Sequence, residues 1–167
     1  MQLNQQTDLA FRILIYLANQ PRRSGGDSAN ADAPALPKIR EIADYFGVSY
    51  NHLMKVANLL ATRGYVRARR GKGGGLELAR APETISLGEV ARDVECHWHL
   101  VECFGQGSRC PIRNGCRLAP IFAEALEAFW TVLDRHSLAD IARVSGVEMP
   151  ITLHRTGTPP HARPQGT

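Results

Sequence analysis

Apolar residues return along the chain at spacings that divide it into helices, one short hairpin and two stretches without regular pattern. From Thr7 to Asn19, Leu9, Ala10, Ile13, Leu14, Leu17 and Ala18 recur at intervals of three and four, which predicts a deeply packed first helix. The pattern then stops. Residues 21–37 are small, polar and rich in breakers, and predict a flexible loop. A structureless loop of this length is uncommon inside a compact domain, so it is either an insertion or a segment the pattern mis-assigns.

Helical spacing resumes from Lys38 to Phe46 and again from Tyr50 to Thr62, with Gly47-Val48-Ser49 between. Gly47 suits the left-handed conformation that ends a helix, and Ser49 can cap the next. This is a helix-turn-helix pattern. Past Gly64, residues 65–69 and 76–80 alternate like strands around Arg70-Gly71-Lys72-Gly73-Gly74-Gly75, which predicts a hairpin, or wing. Ser86-Leu87-Gly88-Glu89 has capping-box spacing and predicts a short helix from Leu87 to about Glu95. From Leu118 to Leu133, apolar positions 118, 122, 125, 126, 129 and 133 predict a long amphipathic helix, and Ser137 to Asp140 caps a further short one. The tail from residue 146 reads as disordered, its end from His154 being rich in Pro, Gly and Thr.

The expected fold is therefore mainly α with a small β-hairpin. At 167 residues the chain suits one domain, perhaps with an appendage, and excludes a multidomain enzyme. An apolar fraction of 44% against 22% charged describes a soluble chain able to bury a core. No apolar run approaches the ~18 residues of a membrane span. The start, Met1-Gln2-Leu3-Asn4, lacks a basic n-region, so a cytoplasmic location is expected.

Charge sharpens the picture because of where it lies. The net charge is only +4, yet between Thr62 and Arg80 six basic residues, Arg63, Arg67, Arg69, Arg70, Lys72 and Arg80, face the single acid Glu77. A compact basic patch on a near-neutral body is the footprint of a nucleic-acid contact. On the helix from Tyr50, Leu53, Val56, Ala57 and Leu60 share one face while Asn51, Lys55, Asn58 and Thr62 lie opposite. Asn can bond adenine bidentately and Lys can reach guanine or phosphate, so Ser49, Tyr50, Asn51, Lys55 and Asn58 are candidate DNA contacts. Arg69, Arg70 and Lys72 of the wing would supply charge to phosphates or enter a minor groove. The glycine loop is not a nucleotide-binding P-loop, since no Lys-Ser/Thr pair opens a helix after it.

The four cysteines cluster at 96, 103, 110 and 116, which in a cytosolic chain points to metal binding or redox chemistry rather than a disulfide framework. Cys103 and Cys110 are separated by six residues, Cys110 and Cys116 by five. That spacing is poor for a zinc knuckle and suits a loop folded around a larger object such as an iron-sulfur cluster, with simple buried or redox thiols as the other reading. Three thiolates leave a four-iron cluster one ligand short.

Taken together, Met1-Gln2-Leu3 with Thr7-Asp8, the Arg12 to Ala18 helix, Gly64-Tyr65-Val66 leading into the glycine wing, and the three-cysteine loop resemble the Rrf-two-type family of winged-helix iron-sulfur regulators. His99 to Phe104, Cys116-Arg117-Leu118 and Leu133 to Asp140 are most similar to its nitric-oxide-sensing repressors. The resemblance covers residues 1 to about 145. It implies a winged helix-turn-helix over 1–82, a cluster loop and dimerisation helix over 83–145, and a homodimer on a palindromic operator in double-stranded DNA. It also implies a repressor that carries a 4Fe-4S cluster, senses nitric oxide and is not an enzyme. By residue match the ligands are Cys103, Cys110, Cys116 and Asp8 from the partner subunit. A 2Fe-2S site is disfavoured, because the histidine that cluster-assembly regulators place three positions after the last cysteine is Ala119 here. Cys96, His97 and His99 lie outside the matched triad and are a conceivable source of a fourth ligand. The competing readings are an iron-status or cluster-assembly regulator, a cluster-free thiol switch using Cys96, and a small electron-transfer protein.

Overall fold

A computed structural model describes residues 3–21, 35–71, 73–95, 99–105, 107–143 and 150. The elements run α1 (Gln5–Ala18), α2 (Ile39–Phe46), α3 (Tyr50–Thr62), β1 (Val66–Arg69), β2 (Gly75–Leu78), α4 (Leu87–Val94), α5 (Leu118–Asp134) and α6 (Leu138–Ala142), with short 3₁₀ turns between.

Helix α1 begins two residues earlier than the apolar pattern suggests because Asn4 caps it, its Oδ1 accepting from the Thr7 amide at 2.9 Å. The cap stands outside the apolar stripe, so periodicity alone misses it. Leu9, Ala10, Ile13, Leu14 and Leu17 are buried, and Leu14 and Ile13 have no solvent exposure. Burying a side chain of that size is worth about 1.5–3 kcal/mol, which makes α1 the centre of the core. Around it sit Ile42 and Ala43 of α2, Leu53, Val56 and Leu60 of α3, Tyr65 and Val66, Val90 and Val94 of α4, and Leu138 of α6.

The turn joining α2 to α3 takes the form the glycine requires. Gly47 has φ +63°, and the Val48 amide bonds back to the Ala43 carbonyl at 3.0 Å. Ser49 holds the N-cap position of α3, but its hydroxyl makes no capping bond, contrary to expectation. Strands β1 and β2 pair antiparallel with Val66 opposite Leu78 and Arg69 opposite Gly75.

Of the stretch expected as a flexible loop over 21–37, residues 22–34 lie outside the described residues. Its far end is docked on the wing: the Leu36 amide donates to the Gly73 carbonyl at 3.1 Å, and the Leu76 amide to the Pro37 carbonyl at 2.8 Å. Gly75 makes that approach feasible, since a Cβ there would sit 2.5 Å from both the Leu36 and Pro37 carbonyl oxygens.

An isolated antiparallel bridge between Ser86 and Ser137 returns the chain to the body after α5. Asn19 Nδ2 then ties α1 to α6 through the Ala142 carbonyl at 2.6 Å. Past Arg143 only Pro150 is described, its carbonyl accepting from Gln20 Nε2 at 2.9 Å. Helix α5 departs from a simple amphipathic helix. Trp130 is its buried residue, Phe122, Leu126, Phe129 and Leu133 are half-buried, and Leu118 and Ala125, expected on the inner face, are exposed together with Ile121 and Val132. The helix is apolar on two sides, and one of them faces solvent.

Candidate nucleic-acid interface and cysteine loop

Helix α3 presents two faces at the 3.6-residue period. Leu53, Val56, Ala57 and Leu60 are buried, whereas Asn51, Lys55, Asn58 and Thr62 are exposed. Ser49 is exposed at the head of the helix and Tyr50 is half-buried beside it. The buried inner face thus anchors the helix and leaves the exposed polar residues of its outer face, Asn51, Lys55 and Asn58, available to a partner.

The wing root stands next to α3, because the Tyr65 amide bonds to the Leu60 carbonyl at 2.9 Å. Its glycines serve two needs. Gly71 and Gly73 have φ of +95° and +76°, while a Cβ on Gly74 would collide with the Arg69 carbonyl. Arg70 is exposed, and Lys72 lies outside the described residues.

Glu77 alters the charge reading of the wing. Its Oε1 accepts from Arg67 Nε at 2.6 Å and from Arg69 Nε at 2.5 Å. Burial pushes its carboxyl up, but the hydrogen bonds from Arg69 and Arg67 outweigh this and hold it below the usual carboxylate range. One acid therefore engages two of the patch's six cations, leaving less free charge than the sequence count suggests.

Sequence reasoning missed the opposite rim. A groove of about 550 Å³ separates α3 from the wing, and its lining includes Lys38 and Arg40 from the start of α2 as well as Tyr50, Asn58 and Arg69. Lys38 and Arg40 lie far from the basic cluster in sequence, and the packing of α2 against α3 brings them to the same groove.

The cysteines occupy a different face. Cys103 sits in the 3₁₀ turn Glu102–Phe104, Cys110 in the loop that follows, and Cys116 after the turn Arg113–Gly115 and just before α5. All three thiols are free and half-buried. The backbone bonds from 101 to 116 are local, such as Phe104 to Val101 and Gly115 to Ile112, and Glu102 Oε1 accepts from the Arg109 amide at 3.1 Å. Among the described residues no three Cys, His, Asp or Glu side chains are gathered closely enough to hold a metal ion. Asp8, in the first turn of α1, is exposed and paired with Arg12 at 2.9 Å. Cys96 and His97 lie outside the described residues, and exposed His99 rests beside Gly105.

A second missed feature joins the two regions. Glu95 Oε2 accepts from the Asn4 amide at 3.0 Å and from the Thr7 hydroxyl at 2.8 Å, pinning the head of α1 to the end of α4. The pair Tyr65–Asp93, 2.7 Å apart, likewise joins the wing root to α4.

Residues 3–144 match the model of the Rrf2 family, described as iron-dependent transcriptional regulators. The chain belongs to the Rrf2 family. Its curated relatives include the HTH-type transcriptional regulator NsrR of Bacillus licheniformis, 40% identical over 84% of this chain and 92% of that one. NsrR of Bacillus subtilis is 39% identical over 86% and 91%. Among solved structures, CymR, the global cysteine regulator of B. subtilis, superposes with a TM-score of 0.61 over 85% of this chain and 96% of that one, at 22% identity. IscR of T. potens gives 0.60 over 84% and 85%, at 21% identity. These likenesses establish the winged helix-turn-helix with its long C-terminal helix. As an Rrf2-family member the chain is a DNA-binding transcriptional regulator and not an enzyme. No helix among the described residues is long and apolar enough to cross a membrane.

Proposed function

We propose that this Rrf2-family regulator is a cytoplasmic homodimeric repressor that holds a 4Fe-4S cluster, occupies a palindromic operator and releases it in response to nitric oxide. The observation that carries the reading is a loop of three free, half-buried thiols joining α4 to α5, in a chain aligned along 84% of its length with regulators named NsrR. On this reading residues 1–82 contact DNA and 83–145 hold the cluster and the dimer interface.

The donor set fits the group. Thiolates are the soft ligands iron-sulfur clusters take, and the locally bonded loop allows Cys103, Cys110 and Cys116 to converge without breaking an element. The fourth place falls to Asp8 of the partner subunit, a position supported by the exposure of Asp8 at the head of α1. When bound, the cluster would supply iron able to react with nitric oxide.

The chain's own residues then couple that site to DNA. To reach the partner's loop, Asp8 leaves Arg12, and α1 is fixed at the same end by Glu95, the last described residue before the cysteine segment. Helix α1 also packs against α3, so a change at its head reaches Ser49, Tyr50, Asn51, Lys55 and Asn58. Loss of the cysteine and Asp8 bonds would return Asp8 to Arg12 and release that restraint. A hundredfold loss of DNA affinity requires about 2.7 kcal/mol of coupling, the worth of one or two base or phosphate contacts per half-site.

The test is anaerobic purification with iron and sulfide analysis and Mössbauer spectroscopy, followed by nitric oxide titration of the loaded protein on operator DNA. Four iron per subunit and DNA release are expected. Stoichiometric zinc, or unchanged affinity after complete reaction with nitric oxide, would overturn the proposal.

A further inference from the structure

We infer that Arg40, held against Tyr50, is a phosphate-binding residue of the DNA interface, on the rim of the groove that faces the wing. The inference rests on the reading that this side of α3 meets DNA.

Arg40 stands with its guanidinium carbon 4.6 Å from the centre of the Tyr50 ring. Among the described residues it has no carboxylate partner, and the Tyr50 hydroxyl has no hydrogen-bond partner. Five arginines are by contrast committed to carboxylates: Arg12 to Asp8, Arg67 and Arg69 to Glu77, Arg80 to Glu89 and Arg92 to Asp134. A guanidinium resting over an aromatic ring spends none of its N–H donors on a carboxylate, and those donors match two oxygens of a phosphate. The contact with the ring also restrains the side chain in advance, so less rotamer freedom is lost when an anion arrives.

The groove supplies the rest of the fit. Among the described residues no Asp or Glu lines it, Lys38 stands beside Arg40, and Met54 and Leu76 give it apolar surface. A sugar-phosphate strand satisfies both chemistries, its phosphate meeting the cationic rim and its deoxyribose the apolar surface. Across the groove Arg69 gives its Nε to Glu77 and so shares its charge, whereas Arg40 meets no acid among the described residues.

The experiment measures anisotropy of a short mixed-sequence DNA duplex with the purified full chain over a series of salt concentrations. Arg40→Gln is expected to weaken binding about tenfold or more and to reduce the slope of log affinity against log salt by about 0.9, the signature of one lost phosphate contact. Arg40→Lys should keep the slope and recover only part of the affinity, because it retains the charge without the fork. In a Tyr50→Leu background Arg40→Gln should cost less, since the guanidinium is no longer oriented. Arg40 is exposed, so its variants should melt with the wild type. Unchanged affinity, or lower affinity with an unchanged salt slope, overturns the assignment. If Arg70→Gln weakens binding while Arg40→Gln does not, DNA binding stands and Arg40 falls. If the wild type ignores the duplex at low salt, the DNA-facing reading falls with it.

Discussion

Arg92 on α4 grips Asp134 at the end of α5 through two parallel hydrogen bonds, Nη1 to Oδ1 at 2.8 Å and Nη2 to Oδ2 at 2.5 Å. The same guanidinium lies 4.5 Å from the ring centre of Trp130, the buried residue of α5. Two contacts from one side chain thus fix the direction in which α5 leaves the body. Hydrogen bonds from Arg92 hold the Asp134 carboxyl below its ordinary range, against a smaller opposing effect of desolvation. A depressed carboxyl contributes its stability above the unfolded value of about 3.9 and loses it as pH falls through the lowered folded value. Asp134→Asn should therefore lower the thermal midpoint at neutral pH and narrow its gap to the wild type in strong acid. A Cβ on Gly88 would run into Asp134 Oδ1, so Gly88→Ala should produce the same defect. The double variant should be little worse than either single one, as measured by thermal melts.

Tyr65 offers a second test of how the wing is anchored. Its side chain has no solvent exposure, and its hydroxyl donates to Asp93 Oδ2. Burial first, and the Asp93 hydrogen bond second, push the phenol well above its ordinary pKa. This raised value adds stability that is complete below about pH 10 and declines above it. Tyr65→Phe removes the donor and strands Asp93, at a cost of about 1–3 kcal/mol. A urea titration should show a lower midpoint with unchanged slope, and the wild-type loss of stability above pH ~10 should be reduced in the variant.

The cysteine loop predicts graded effects on cofactor content. Cys103→Ala, Cys110→Ala or Cys116→Ala should each abolish iron and sulfide retention, because three soft donors are the minimum the loop supplies. Asp8→Ala should leave a cluster that forms but is lost sooner, since a carboxylate is the harder and weaker ligand. Arg12→Ala removes the ion pair that competes for Asp8 and should lengthen the cluster's lifetime in air. Iron and sulfide analysis of anaerobically prepared variants, followed by decay of visible absorbance on exposure to oxygen, reads all three effects. Equal cluster lifetimes in Asp8→Ala and the wild type would remove Asp8 from the ligand set.

Much of this architecture was legible because local rules and the global fold agree. Gly47 ends α2 in the left-handed region, and the apolar stripes of α1 and α3 face the core as their spacing demands. What stayed hidden depends on pairs distant in sequence. Arg40 reaches the groove because α2 packs against α3, and no local pattern reveals that Glu77 engages Arg67 and Arg69 while Arg40 meets no acid among the described residues. The Glu95 contact with Asn4 and Thr7 spans about ninety residues and carries no periodic signal. Only spacing and family likeness point to a convergence of the three thiols, and among the described residues no three ligating side chains are gathered into a metal site.

The outward side of α5 leads to the final prediction. Leu118, Ile121 and Val132 are 53%, 59% and 46% exposed, and with Ala125 and Ala128 they form a stripe along one side of the helix, between the half-buried face and Glu124, Glu127 and Thr131. A monomer gains nothing by displaying such a stripe, whereas an isologous pairing of two α5 helices would bury it. Ile121→Glu with Val132→Glu places charge in that contact without touching Trp130, the Arg92–Asp134 clasp or the core around α1. Light scattering after size-exclusion chromatography should then give the mass of one chain, against two for the wild type, while circular dichroism remains unchanged. The monomer should also bind a palindromic operator far more weakly than a single half-site loss would suggest, because the second recognition helix no longer arrives at high effective concentration. A dimer of undiminished stability in the double variant would move the interface away from α5.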